Sequence, residues 1–257
     1  MDPRFSLAGL AVGTAVGLTG IGGNALLAPL LIILLGVPPA VAVGTDLAYG
    51  VPTKILACAL HSRQKNVDWL VAKWLIVGGL PGTVIGLATF AILRAHVSHA
   101  ALEAGVKRGI GIAILVACIG IAATWLIRRS PTAVAAEPAA ERQRWAIAVI
   151  GVIVGFLVSM TSVGSGSVTL PLLVFALPAY ALRRLIGAEI AFSAFLVPLA
   201  AAGHVAYGNV NWLMAAGLAI GSLPGVWIGT RLSRLIGDRW MRPIIFALLA
   251  LAGWRLV

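Results

Sequence analysis

Apolar residues run in long blocks along this chain, at about 5–35, 41–60, 68–92, 106–127, 145–177, 183–204, 211–232 and 241–257. A helix that crosses a bilayer needs roughly 20 apolar residues. Six blocks therefore predict one crossing each. The other two, 5–35 and 145–177, are too long for one span and are broken near the middle by small residues. The breaks read Thr19-Gly20-Ile21-Gly22-Gly23-Asn24 and Thr161-Ser162-Val163-Gly164-Ser165-Gly166-Ser167.

The breaks belong to an internal repeat. An offset of 142 carries Gly13, Thr19, Gly22 and Pro29-Leu30-Leu31 onto Gly155, Thr161, Gly164 and Pro171-Leu172-Leu173. An offset of 143 then carries Gly44, Asp46, His61, Asn66-Val67 and Trp69 onto Gly187, Glu189, His204, Asn209-Val210 and Trp212. It also carries Leu80-Pro81-Gly82 onto Leu223-Pro224-Gly225. Histidine, tryptophan and proline are uncommon types, so chance is a poor explanation. The chain divides into two homologous halves, 1–128 and 145–257, joined by a loose Pro- and Ala-rich linker over 129–144.

Composition agrees with a membrane location. Of 257 residues, 60% are hydrophobic and 11% charged, and the net charge is +11. Soluble domains carry about 25% charged residues. A disordered chain, a disulfide scaffold and an ordinary nucleic-acid module are excluded. No secretory signal peptide is apparent, and Cys58 and Cys118 match no metal motif, so no cofactor is expected.

Basic residues collect in cytoplasmic loops. If each long block crossed the membrane, the basic residues other than Lys54 would divide nine against nine. If each is a re-entrant hairpin of two half-helices, they divide thirteen against five. The second arrangement predicts an all-α polytopic membrane protein of two inverted repeats, each a broken hairpin plus three transmembrane helices. The linker is then cytoplasmic and both termini lie outside.

Half-helices that begin inside a membrane offer unpaired N–H groups and a positive dipole end. Asn24 and Ser167 mark where they would begin. Thr19, Gly20, Gly22, Gly23 and Asn24 in one break, with Thr161, Ser162, Gly164, Ser165, Gly166 and Ser167 in the other, are the candidate anion-binding residues. Small residues can equally serve helix packing. Asp46, Lys54 and Glu189 are the ionisable residues inside the apolar blocks, where charge is costly and usually functional. Lys54 would attract an anion, and Asp46 or Glu189 would couple protons. Glu189 could instead be balanced by nearby Arg183 and Arg184. His61 and His204 end their helices as dipole partners, and Trp69 and Trp212 are interfacial anchors.

The ordered motifs G-L-T-G-I-G-G or S-M-T-S-V-G-S-G, then P-L-L, G-T-D or G-A-E, H-x4-N-V-x-W and L-P-G-x2-I-G cover nearly the whole chain. They resemble the TauE/SafE sulfite exporter family, also called the toluenesulfonate uptake permease family. The resemblance implies a transporter of sulfite or an organosulfonate in the bacterial inner membrane, in contact with lipids, open to homo-oligomer formation and without nucleic-acid partners. Two other classes stand beside it. One is an intramembrane enzyme acting on a lipid phosphate or peptide, although no Arg, Asp or His adjoins the breaks. The other is a passive anion channel.

Topology is directly testable. Ser130→Cys and Ser233→Cys should be labelled only from the cytoplasm by an impermeant thiol reagent, and Gly208→Cys only from outside. Labelling of positions 130 and 233 from opposite faces would contradict the inverted arrangement.

Overall fold

The computed structural model describes residues 3–19, 24–126, 137–233 and 238–257. Within them the chain forms helices and turns, with no strand. The helices are α1 (Pro3–Thr19), α2 (Asn24–Leu35), α3 (Pro39–Arg63), α4 (Trp69–His96), α5 (His99–Leu126), α6 (Glu137–Arg142), α7 (Arg144–Thr161), α8 (Thr169–Ala176), α9 (Leu182–Ala206), α10 (Trp212–Ser233) and α11 (Asp238–Leu256). Among the described residues, α4, α5, α7, α9 and α10 are long and apolar enough to cross a membrane. The equally long α3 carries the buried charges Asp46 and Lys54.

Close glycine contacts set the packing. Cβ atoms on Gly9 and Gly13 of α1 would strike the backbones of Leu218 and Ser222 of α10. Gly151 and Gly155 of α7 meet Leu75 and Gly79 of α4 in the same way. From the other side, Gly221 and Gly225 press on Ser6 and Leu10, as Gly78 and Gly82 press on Ala148 and Val152. Each of these contacts in the first pair of helices recurs in the second at the offsets of 142 and 143. Residue numbers rise together in both, so α1 runs parallel to α10 and α4 parallel to α7. Without a side chain the backbones approach closely, which suits helices that gain no hydrophobic energy from each other in lipid.

The repeat-equivalent helices α3 and α9 run antiparallel. Gly44 lies against the Asn209 backbone and Gly187 against that of Asn66. The motif glycine of each half thus fits against the motif asparagine of the other. Likewise Gly111 of α5 meets Val257, beyond the end of α11, while Gly253 of α11 meets Leu115, so these two helices are also antiparallel. Matching caps start α4 and α10. Asp68 accepts from the N–H groups of Leu70 and Val71, each at 3.1 Å, and Asn211 accepts from that of Met214 at 3.0 Å. The Tyr180 hydroxyl, from the loop before α9, donates to the second Asp68 oxygen at 2.8 Å.

The second long block reverses direction. α7 advances along α4 in the direction of α4. Across the break, the chain passes from Thr161, against Gly109, to Pro171, against Gly120, in the direction of α5. Gly86 and Gly109 both meet the end of α7 and stand equally far from the Val97–Ser98 link, so α4 and α5 are themselves antiparallel. The two arms are unequal, whereas the sequence suggested two half-helices. α7 spans 18 residues, about 27 Å, and α8 only 8, about 12 Å. The long arm is anchored at its start, where the Arg144 guanidinium lies 5.8 Å from the Trp74 ring and 5.7 Å from the Trp145 ring. The linker is likewise not loose throughout, since Glu137–Arg142 forms a helix and Arg144 opens α7. Residues 127–136 lie outside the described part, as do Gly20, Gly22 and Gly23 of the first break.

The equivalence of the two glycine interfaces predicts matched damage. Gly78→Val and Gly221→Val should each destabilise the protein by about 1–3 kcal/mol through overpacking. Both should lower the thermal midpoint in detergent by several degrees. A large loss in one and none in the other would contradict the paired packing.

Candidate functional site

The second break is a fixed turn. After α7 ends at Thr161, Ser162 adopts the left-handed conformation at φ 60°. That costs a residue with a side chain roughly 1–2 kcal/mol. The Ser162 N–H donates to the Val158 carbonyl at 2.8 Å, and the Thr161 hydroxyl accepts from the Val163 N–H at 3.2 Å. Gly164 follows at φ 127°, a conformation that favours glycine. Its carbonyl accepts from the N–H groups of Val168 and Thr169 at 3.2 and 3.1 Å, and from the Thr169 hydroxyl at 2.9 Å. The Leu170 N–H donates to Gly166 at 3.3 Å. The first N–H groups at the start of α8 are therefore already used. This corrects the expectation that the start of the second half-helix offers them to a ligand; contacts would have to come from the turn itself.

Two buried acids from different helices flank this turn. The Ser162 hydroxyl donates to Asp46 Oδ2 on α3 at 2.8 Å, while Asp46 Oδ1 is buried without a hydrogen-bond partner. On α9, Glu189 Oε1 accepts from the Ser193 hydroxyl, one turn further on, at 2.6 Å. Lys54 Nζ stands 3.8 Å from the same oxygen. Gly166 lies against this carboxylate; a Cβ on it would stand 3.7 Å from Oε1. The Ser165 carbonyl is 3.4 Å from the Ser193 hydroxyl. Five residues of turn, Ser162 to Gly166, thus reach from one acid to the other. Ser167 Oγ is also buried without a partner.

Burying each ion costs several kcal/mol. The Lys54–Glu189 pair offsets part of that for two of the three charges. At 3.8 Å it is longer than the 2.7–2.9 Å of a charge-assisted hydrogen bond. The two ions attract without being locked together.

The histidines differ although the repeat makes them equivalent. His204 is fully buried. Its Nε2 lies 2.8 Å from the Ser159 carbonyl, and the Asn209 amide lies 3.3 Å from its Nδ1. It ties α9 to α7. In the first half the Asn66 amide donates instead to Gln64 at 2.9 Å, and His61 Nδ1 is buried without a partner.

The profile described as Sulfite exporter TauE/SafE matches residues 5–256. The chain belongs to the TauE/SafE sulfite exporter family. It is 35% identical to the "Probable membrane transporter protein YjnA" of Bacillus subtilis (strain 168), over the whole of both chains. It is 26% identical to the "Probable membrane transporter protein MJ0441" of Methanocaldococcus jannaschii, over 98% of this chain and 93% of that one. No solved structure matches. This TauE/SafE protein is a multi-pass membrane transporter and not an enzyme.

Of the residues the sequence singled out in this family member, Thr161, Ser162, Gly164, Ser165, Gly166 and Ser167 form one turn, and Asp46, Glu189 and Lys54 are gathered near it. Thr19 ends α1 and Asn24 begins α2, but their side chains lie outside the described residues. Lys54, singled out as an attractor of anions, stands beside Glu189, which thereby has its cation on α3 rather than in Arg183 or Arg184. Ser193 was missed. Its repeat counterpart is Gly50, so the repeat carries no trace of it, and the remaining signal is a serine one turn after an acid on an apolar helix.

The Ser162–Asp46 bond predicts a stability effect. Ser162→Ala strips Asp46 of its hydroxyl donor and should cost about 1–3 kcal/mol, read as a lower thermal midpoint. Ser162→Gly relieves the left-handed strain but loses the same hydroxyl, so it should not exceed the parent. A clear gain in stability for Ser162→Gly would show that the Asp46 contact contributes little.

Proposed function

We propose that this protein carries sulfite or a small organosulfonate outward across the bacterial inner membrane, by alternating access around a site formed by the broken helices. The observation that carries the reading is the Ser162–Gly166 turn held between Asp46 and the Lys54–Glu189 pair. Intramembrane ionisable residues and irregular backbone are both costly, and they are tolerated where they face a cavity or a pathway. The turn supplies hydroxyl groups and backbone N–H groups to an oxyanion, and Lys54 supplies positive charge. One of the two acids takes up a proton during the cycle.

The halves, 1–128 and 145–257, are proposed to be inverted in the membrane. The antiparallel pairs α3–α9 and α5–α11 and the reversal between α7 and α8 support this. Arg63, Lys65, Lys73, Arg144, Arg183 and Arg184 then face the cytoplasm with the linker, as the charge rule requires. The first helices of the two halves, α1 and α7, each pack on a helix of the opposite half, so a movement of one half past the other alters the surroundings of the turn after α7.

Gly166→Ala tests the site with little risk to folding, because the added methyl fits at van der Waals distance from Glu189. It should leave the thermal midpoint near that of the parent and weaken sulfite or methanesulfonate binding about tenfold or more, the size of effect one carbon has in a filled site. Normal stability with parental affinity would remove the turn from the site. Flux in liposomes that saturates with anion concentration is expected, and non-saturating flux at channel rates would overturn the transporter mechanism.

A further inference from the structure

The Lys54–Glu189 pair does more than neutralise two buried charges. Glu189 presents its Oε1 to an ammonium group, a serine hydroxyl and the surface of Gly166. An oxyanion would seek the same three features: a cation, a hydroxyl donor and a glycine that leaves room. A carboxylate is itself a small monoanion. Its occupation of these partners means that an external anion and an ionised Glu189 compete for Lys54.

We infer that Glu189 is a tethered stand-in for the substrate, that one proton taken up by Glu189 releases Lys54 to an incoming anion, and that the site therefore selects monoanions. This rests on the transport reading above and adds to it which acid takes the proton, the stoichiometry and the charge of the substrate. The exchange balances. Before binding, Lys54 and ionised Glu189 are neutral together. After it, the proton sits on the Glu189 carboxyl, the anion sits against the Lys54 ammonium, and the sum is again neutral. One proton travels with one anion. The cycle is electroneutral and its direction follows the two gradients together, so an interior that is more acidic drives the anion outward.

A dianion breaks this balance. It would leave one negative charge uncompensated in a site that also faces Asp46, which is within electrostatic range of Lys54 on the same helix. Charge in such surroundings costs several kcal/mol when unmatched. Sulfonates and hydrogensulfite fit this constraint, while sulfate and fully deprotonated sulfite do not. Asp46 itself is suited to the fixed role, since Ser162 holds one of its oxygens from the turn.

The groups that face Glu189 are few. From α3 come Lys54 and His61, the latter within electrostatic range. From the turn come Ser165 and Gly166, and from α9 itself Ser193. Among the described residues, α4, α7 and α8 bring no titratable side chain to it. The asymmetry between the histidines fits the same reading. His204 is tied to Ser159 and Asn209, whereas His61 keeps an unpartnered buried nitrogen.

The test uses the purified full chain in liposomes, with methanesulfonate and sulfate as probes and binding followed from acid to alkaline pH. The parent should bind methanesulfonate at least tenfold more tightly than sulfate and lose affinity as pH rises. Glu189→Gln fixes the neutral form, so methanesulfonate binding should become independent of pH and its flux should no longer carry a proton. Lys54→Met should lose binding at every pH. Ser193→Ala, which weakens the hold on the ionised carboxylate without removing it, should extend binding to higher pH and covers the case in which Glu189→Gln does not fold. Unchanged pH dependence in Glu189→Gln, or in Ser193→Ala if the former fails to fold, would overturn the exchange. Equal affinity for sulfate and methanesulfonate in the parent would overturn the charge rule. The sulfur-anion reading fails separately, if acetate or nitrate binds with the same pH dependence while methanesulfonate and sulfite do not bind at all.

Discussion

Charge buried among apolar helices has to be matched where it sits, and in this protein the matching is done across the two halves of the chain. Lys54 comes from α3 and Glu189 from α9. Asp46 of α3 is met by Ser162 from the turn after α7. Among the described residues, neither half contains a complete set of partners. The polar interior therefore depends on the packing of the halves against each other, and in the alternating access proposed above their relative movement exchanges these contacts. That dependence connects a structural requirement, the cost of an unpaired ion in a low-dielectric surrounding, to a transport cycle.

The glycine interfaces make that packing specific. Dispersion and close backbone approach drive helix association in lipid. Gly9 and Gly13 against α10, and Gly151 and Gly155 against α4, bring the first helix of each half onto a helix of the other. The first helix of each half is thus carried by the opposite half. The break after α7 is then held by its own bonds around Gly164, with a strained Ser162 as its first residue. A turn held by its own bonds and by Asp46, with Glu189 beside it, suits the ligand site proposed for it.

Much of the architecture was legible in the sequence for physical reasons. The length of the apolar blocks follows from membrane thickness, and the helix positions followed from them closely. The motif residues Gly44, Gly187, Asn66 and Asn209 stood out through the repeat, and they touch one another in the fold. The site was legible only in part. Lys54 has Val197 as its counterpart and Ser193 has Gly50, so the repeat is silent about the pair that matters most. An ion pair between elements more than a hundred residues apart leaves no local pattern. The N–H groups at the start of α8 were expected to be free because helix starts usually leave them so. The carbonyls of Gly164 and Gly166 take them up, which a string of glycines and serines does not reveal.

The most direct test of the exchange at Glu189 is an infrared difference spectrum recorded on adding methanesulfonate to the protein in lipid. The account predicts a new protonated carboxyl band on binding, together with loss of a carboxylate band, and the absence of both changes in Glu189→Gln. Anion binding without any carboxyl protonation, or the same band persisting in Glu189→Gln, would contradict it.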